Sequence, residues 1–178
     1  MMSAKAIIIR HAVLSDRDAT LDVLLDAYGQ YELVLPEPRW IEYKESIVAS
    51  VDESATKARL VAELDGEVVG SVFLFDSSDA AYGRPELHIH TPIIRLLAVS
   101  QKARGYGVAT ELIRASAQLA RDSGAETLHL HTSDMMDSAV RLYERLGFER
   151  AYDKDIMNGE TLVKSYVLQL KKAALLQV

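Results

Sequence analysis

Residues Leu97-Ala-Val-Ser-Gln-Lys-Ala-Arg-Gly-Tyr-Gly-Val-Ala-Thr110 constrain this chain more than any other stretch. The apolar run from Ile94 to Val99 reads as a strand, two glycines follow in a short polar loop, and an apolar-periodic helix begins near Val108. Strand, glycine loop and helix in that order build an anion cradle. Gly105 and Gly107 are free to take positive φ and bring backbone close to a ligand, and the first N–H groups of the helix have no partner within it. A phosphate is the natural guest. The same loop is also compatible with a strand-to-helix turn that binds nothing. There is no Gly-Lys-Ser/Thr, hence no Walker loop, and the three-glycine dinucleotide fingerprint is absent.

At 178 residues, 49% hydrophobic and 26% charged, the chain is sized for one domain, residues 1–178. The absence of cysteine rules out disulfides, thiol nucleophiles and thiolate metal sites, and fits a reducing compartment. The N-terminal apolar run is too short for a signal peptide, and no stretch approaches the roughly 20 apolar residues of a membrane helix. No membrane association is expected, and the cytoplasm is the default location. A net charge of −6, from 26 acidic and 20 basic residues without a basic, aromatic-interleaved run, argues against a nucleic-acid partner. It is compatible with a cationic acceptor.

Along the chain, Ala6 to Arg10 is a β-branched run expected as the first strand. Ser15 or Asp16 then caps a helix with Leu21, Leu24, Leu25 and Tyr28 on one face. Pro36-Glu-Pro38 forces an extended break before a second helix through Ile41, Ile47, Val48 and Val51, whose Trp40 and Tyr43 either line a pocket or fill the core. Arg59 to Leu64 and Glu67 to Phe75 flank Asp65-Gly66, a strong hairpin signal, and Gly70 inside the second run signals a bulge or a close backbone approach. Asp76 to Pro92 reads as a long irregular flap.

The helix after the glycine loop presents Val108, Leu112, Ile113, Ala115, Leu119 and Ala120 and stops at Gly124. Glu126 to Thr132 alternates Leu128 and Leu130 with His129 and His131, the pattern of a half-buried strand. A helix from about Asp137 to Leu146 stops at Gly147. Phe148 to Tyr152 and Thr161 to Leu170 are two closing strands, made antiparallel by a turn at Asn158-Gly159. The tail from Lys171 frays or serves a partner.

In element order this chain resembles the GCN5-related N-acetyltransferase (GNAT) superfamily over roughly residues 6–170. Arg104-Gly-Tyr-Gly-Val-Ala109 is similar to the family's Gln/Arg-x-x-Gly-x-Gly/Ala signature and follows its usual Leu-Ala-Val strand; Ala139-Val-Arg-Leu-Tyr-Glu-Arg-Leu-Gly-Phe148 is similar to its Ala-x-x-Leu-Tyr-x-x-x-Gly-Phe segment. The resemblance implies an α/β fold with a mixed, mostly antiparallel central sheet flanked by helices, an acetyl-CoA co-substrate, and acetyl transfer to a primary amine of a small molecule or a protein N-terminus. It implies that backbone groups of Leu97 and Val99, flanking Ala98, pair with the pantetheine arm. Arg104, Gly105, Tyr106, Gly107, Val108, Ala109 and Thr110 would surround the pyrophosphate. That same strand would offer an N–H to the thioester oxygen, where negative charge develops. Tyr143 matches the tyrosine that protonates the departing thiolate, a partner basic enough to take a phenol's proton. One departure stands out: Met136 occupies a position where many members carry a pantetheine-contacting Asn, with Ser133 or Asp134 as its substitutes.

The attacking amine must be neutral, so the site needs a proton acceptor. His131, at the end of the strand before the Tyr143 helix, is the first candidate, with a structural histidine as the plainer reading; Glu86, His90 and water are the alternatives. His88-Ile-His90 and His129-Leu-His131 each place two imidazoles on one strand face. A zinc site needs three or four convergent ligands, which nothing in the spacing supplies, so no metal is expected. A non-catalytic acyl-CoA sensor is the competing function, and a homodimer remains open.

Overall fold

The computed structural model describes residues 6–29, 32–52, 56–133, 137–158 and 161–177. Met136 and Asp134, the departure and one of its substitutes, lie outside them, as do Gly159 and the side chain of Ser133.

The chain runs β1 (Ile7–His11), α1 (Arg17–Tyr28), α2 (Glu37–Val51), β2 (Ala58–Leu64), β3 (Glu67–Phe75), α3 (Ser78–Tyr82), β4 (Ile93–Val99), α4 (Val108–Asp122), β5 (Thr127–Ser133), α5 (Asp137–Arg145), β6 (Glu149–Arg150), β7 (Ile156–Asn158) and β8 (Thr161–Gln169). The strands are ordered β1-β2-β3-β4-β5-β8-β6, with β7 also on β8. Pairing is parallel between β4 and β5, at Ile93↔His129, and antiparallel for β1–β2, β5–β8, β6–β8 and β7–β8. The mixed, mostly antiparallel sheet flanked by helices is therefore present. Two compact units make up the chain: Met1–Phe73 with Leu96–Ile113, and Leu74–Arg95 with Arg114–Val178.

In the first unit, β2 and β3 join through Asp65 and Gly66 at φ 54 and 80. Two consecutive positive φ values are the mark of a type I′ turn, whose twist matches that of the strands it connects. Gly70 makes the close approach its position suggested: a Cβ there would lie 2.8 Å from Val108 Cγ1, 3.0 Å from Leu112 Cδ1 and 3.2 Å from the Ala98 carbonyl oxygen. The buried face of α1 is Thr20, Val23, Leu24 and Ala27; of the expected Leu21, Leu24, Leu25 and Tyr28, Leu24 is buried and the other three are half-buried, so the face is rotated by one step. The expected cap is also different. Asp16 stands at the N-cap of α1 without a capping bond, because its carboxylate is occupied. It accepts from Val13 N–H at 2.7 Å and from both terminal nitrogens of Arg10 at 2.7 and 3.0 Å. In α2, Trp40, Ile47 and Val51 are buried while Ile41 and Val48 face solvent.

In the second unit, the segment expected as an irregular flap is folded. Ser77 Oγ caps α3 by accepting from Ala80 N–H at 3.2 Å, Ser78 N–H donates to the Ile89 carbonyl at 2.9 Å, and Ile89 itself is only 2% exposed. The serine pair and one apolar anchor overrode the loop-like composition. β5 is buried on both faces, with Leu128, His129, Leu130 and Thr132 all covered, because it is a central strand of the sheet. The strand expected to run to Tyr152 shrinks to Glu149–Arg150, since residues 152–154 turn as a 3-10 helix while Arg150 clamps Asp155 with two bonds of 2.7 Å. The tail does not fray over the described residues: Leu170, Ala173 and Leu176 are buried, and Arg114 Nε donates to the Leu175 carbonyl at 3.1 Å.

Candidate functional site

The first unit carries the phosphate-type cradle. Gly105 and Gly107 adopt φ 86 and 83, and a Cβ on either would meet nothing within 4 Å. These glycines are therefore needed for backbone conformation rather than for space. Glu111 N–H donates to the Gly107 carbonyl at 3.1 Å, so the N–H groups of Val108, Ala109 and Thr110 precede the first helical bond and have no partner within the helix. Arg104 and Tyr106 flank them from solvent-exposed positions, and Val108 is buried as the helix's first anchor. The residues present thus fit a pyrophosphate.

Upstream, Leu96 has φ 55 inside β4, a left-handed kink costly for a leucine. The next residue is held from α1: Tyr28 donates its hydroxyl to the Leu97 carbonyl at 3.0 Å, while its ring meets Tyr43 edge-on at 5.9 Å. Trp40, one of the two aromatics with open roles, is buried; Tyr43 is half-buried between it and Tyr28.

The second unit carries the titratable groups. His131 sits opposite Ser165 in the β5–β8 register. Its Nε2 is 2.9 Å from the Lys154 carbonyl and its Nδ1 is 3.0 Å from the Tyr82 hydroxyl. A carbonyl only accepts, so Nε2 bears the hydrogen, Nδ1 keeps the lone pair, and the Tyr82 hydroxyl donates to it. Burial holds the His131 pKa below the usual histidine value, opposed by the Lys154 carbonyl bond and by Asp155 and reinforced by Arg95. Burial likewise pushes the Tyr82 phenol up, against the pull of Arg95, and Tyr143 lies within its electrostatic reach. Arg95 stands 5.1 Å over the Tyr82 ring and donates to the Ala81 carbonyl at 2.8 Å.

Tyr143 is 8% exposed, packed 5.9 Å from Phe148, whose N–H donates to the Tyr143 carbonyl at 3.0 Å where Gly147 turns the chain at φ 102. The Gly-Phe of the motif thus closes α5 over its own tyrosine. Glu86 and His90 are exposed. His88 and His90 do not lie on a strand as expected: His88 has φ 53, their rings are 6.4 Å apart, and among the described residues no group of three His, Cys, Asp or Glu converges. Tyr82, Arg95 and Lys154 escaped the sequence reading, because their partners are brought to them only by the folding of residues 76–92 and 152–154.

The model described as the acetyltransferase (GNAT) family matches residues 18–148. The chain belongs to this family. It is 32% identical over 139 residues to N-acetyltransferase 8F1 of Rattus norvegicus, covering 74% of this chain and 61% of that one. It is 38% identical over 90 residues to N-acetyltransferase family 8 member 2 of the same species, covering 51% of this chain and 38% of the relative. The matched stretch therefore spans less than two thirds of these relatives' own length.

Among solved structures, the PaiA N-acetyltransferase of Thermoplasma acidophilum in complex with coenzyme A superposes with TM-score 0.67 at 13% identity, covering 90% of this chain and 98% of that one. The ribosomal-protein-S18-alanine N-acetyltransferase of Escherichia coli gives 0.66 at 16% identity, covering 93% and 94%. These likenesses establish the GNAT fold. No helix among the described residues is long and apolar enough to cross a membrane.

Proposed function

We propose that this GNAT domain transfers acetyl from acetyl-CoA to a primary amine, on a small molecule or a protein N-terminus. The observation that carries this reading is the glycine loop: two positive-φ glycines placed directly before three helix N–H groups that precede the first helical bond. In this reading Arg104 to Thr110 hold the pyrophosphate, Leu97 to Val99 align the pantetheine, and the strand supplies an N–H to the developing thioester oxyanion. Tyr143 is the general acid that returns a proton to the CoA thiolate, and His131 is the sink for the proton that the amine must lose.

Mixing the protein with acetyl-CoA and a panel of small amines and N-terminal peptides should release free thiol. Tyr143→Phe should lower turnover far more than it lowers CoA affinity, because the phenol acts on the leaving group rather than in binding. Saturable CoA binding with no thiol release over the whole panel would instead assign an acyl-CoA sensor.

A further inference from the structure

His131 cannot meet an amine through either ring nitrogen as it stands. Nε2–H is spent on the Lys154 carbonyl at 2.9 Å, and the one lone pair, on Nδ1, faces the Tyr82 hydroxyl at 3.0 Å. Whatever proton reaches this imidazole arrives through Tyr82.

Resting on the acetyl-transfer reading above, we propose that Tyr82 is a catalytic residue which receives the acceptor amine's proton while passing its own hydroxyl proton to Nδ1 of His131. The step balances without a further reactant. An N–H bond of the ammonium breaks, an O–H bond forms at Tyr82 as its original O–H breaks, and an N–H bond forms at Nδ1. The products are a neutral amine, an unchanged tyrosine and an imidazolium.

The geometry supports each part. A hydroxyl has one proton and two lone pairs, so Tyr82, donating to His131, keeps acceptor capacity for an incoming ammonium. Its orientation is not left to rotation: the ring stands edge-on to His131 with centroids 5.0 Å apart, and Arg95 lies against its face. The imidazolium would be held by the Lys154 carbonyl, and Lys154 is itself tied down through its ammonium, which donates to the Leu87 carbonyl at 2.8 Å.

The charged and titratable groups facing this pair are Arg95 from β4, Tyr143 from α5, His129 from β5, and Lys154 and Asp155 from the segment after β6. Arg95 opposes the imidazolium and Asp155 favours it. Burial disfavours the imidazolium, so the charge that the step places on His131 is held there by the Lys154 carbonyl and Asp155 against that cost. Tyr143, the residue assigned to the departing thiolate, lies within electrostatic reach of Tyr82.

The test compares wild type, Tyr82→Phe, His131→Gln and the double variant in thiol release against pH, together with imidazole ¹⁵N NMR of His131. The expected results are a drop in kcat of about 10²-fold in Tyr82→Phe with acceptor KM little changed, and a loss that shrinks as pH rises and water supplies neutral amine. His131→Gln should match it, and the double variant should be no worse, because the two act as one unit. NMR should find the Nε2–H tautomer, with the Nδ1 resonance moving in Tyr82→Phe. Full activity in Tyr82→Phe alongside a crippled His131→Gln, losses that multiply in the double variant, or an Nδ1–H tautomer would each overturn the relay. Wild-type protein that binds CoA but acetylates nothing would overturn the acetyl-transfer reading itself.

Discussion

Replacing Gly70 by alanine puts a methyl carbon where two side chains and a carbonyl already stand. The new atom would fall 2.8 Å from Val108 Cγ1, 3.0 Å from Leu112 Cδ1 and 3.2 Å from the Ala98 carbonyl oxygen, whereas carbon atoms rest about 3.5–4.0 Å apart. Leu112 can yield by rotating its far end. Val108 cannot do so cheaply, because a β-branched side chain in a helix has essentially one χ1 well, and the Ala98 oxygen is backbone.

Relief must therefore come from moving the start of α4 away from β3, at the usual overpacking cost of about 1–3 kcal/mol. For a chain of this size that is a fall in Tm of roughly 2–12 °C. Val108 is also the first residue of the helix whose N–H groups face the proposed pyrophosphate, so CoA affinity should drop in parallel. The assay is thermal unfolding plus CoA titration of Gly70→Ala, Val108→Ala and the pair. Trimming Val108 removes the closest contact, and the double variant should be more stable than the sum of the single losses predicts. An unchanged Tm in Gly70→Ala, or strict additivity in the pair, would refute this account of why a glycine sits mid-strand.

Two further outcomes concern pH. Asp16 is 8% exposed, and its bonds to the Arg10 guanidinium and the Val13 N–H hold its pKa at about 2, below the ordinary carboxylate value. The stability it contributes is present above pH 4 and lost as pH falls toward 2; Asp16→Asn should cost about 1–2 kcal/mol at pH 7 in urea unfolding, with the difference from wild type vanishing in acid. His129, held at about 4 by burial, refuses a proton that the unfolded chain accepts near 6.5. Stability should therefore decline as pH drops from about 6.5 to 4, by up to about 3 kcal/mol, and His129→Gln should flatten that stretch of the urea-midpoint profile.

Local rules read the chain well wherever the answer lay within a few residues. Asp65-Gly66, Gly105, Gly107, Gly124 and Gly147 all take positive φ, as their neighbours implied. They mark chain reversals, and a residue without Cβ is the one that reverses at no steric cost. Periodicity located α4 and α5 but misplaced the buried face of α1 by one step and left β5 half-exposed, since which side of an element is covered depends on what packs there. Capping logic at Asp16 failed for a related reason: Arg10, six residues away and on another element, outcompeted the helix's own N–H groups.

The same division runs through the candidate site. The glycine loop and the Tyr143 segment are contiguous motifs legible from neighbouring residues, and the sequence alone identified the family they mark. What His131 can do was decided only by tertiary structure. Its tautomer and the partner of its lone pair are set by Tyr82, 49 residues before it, and by the Lys154 carbonyl, 23 residues after it. A proton's location is a property of the hydrogen-bond partner, and no spacing rule brings partners that far apart within 3 Å of one ring.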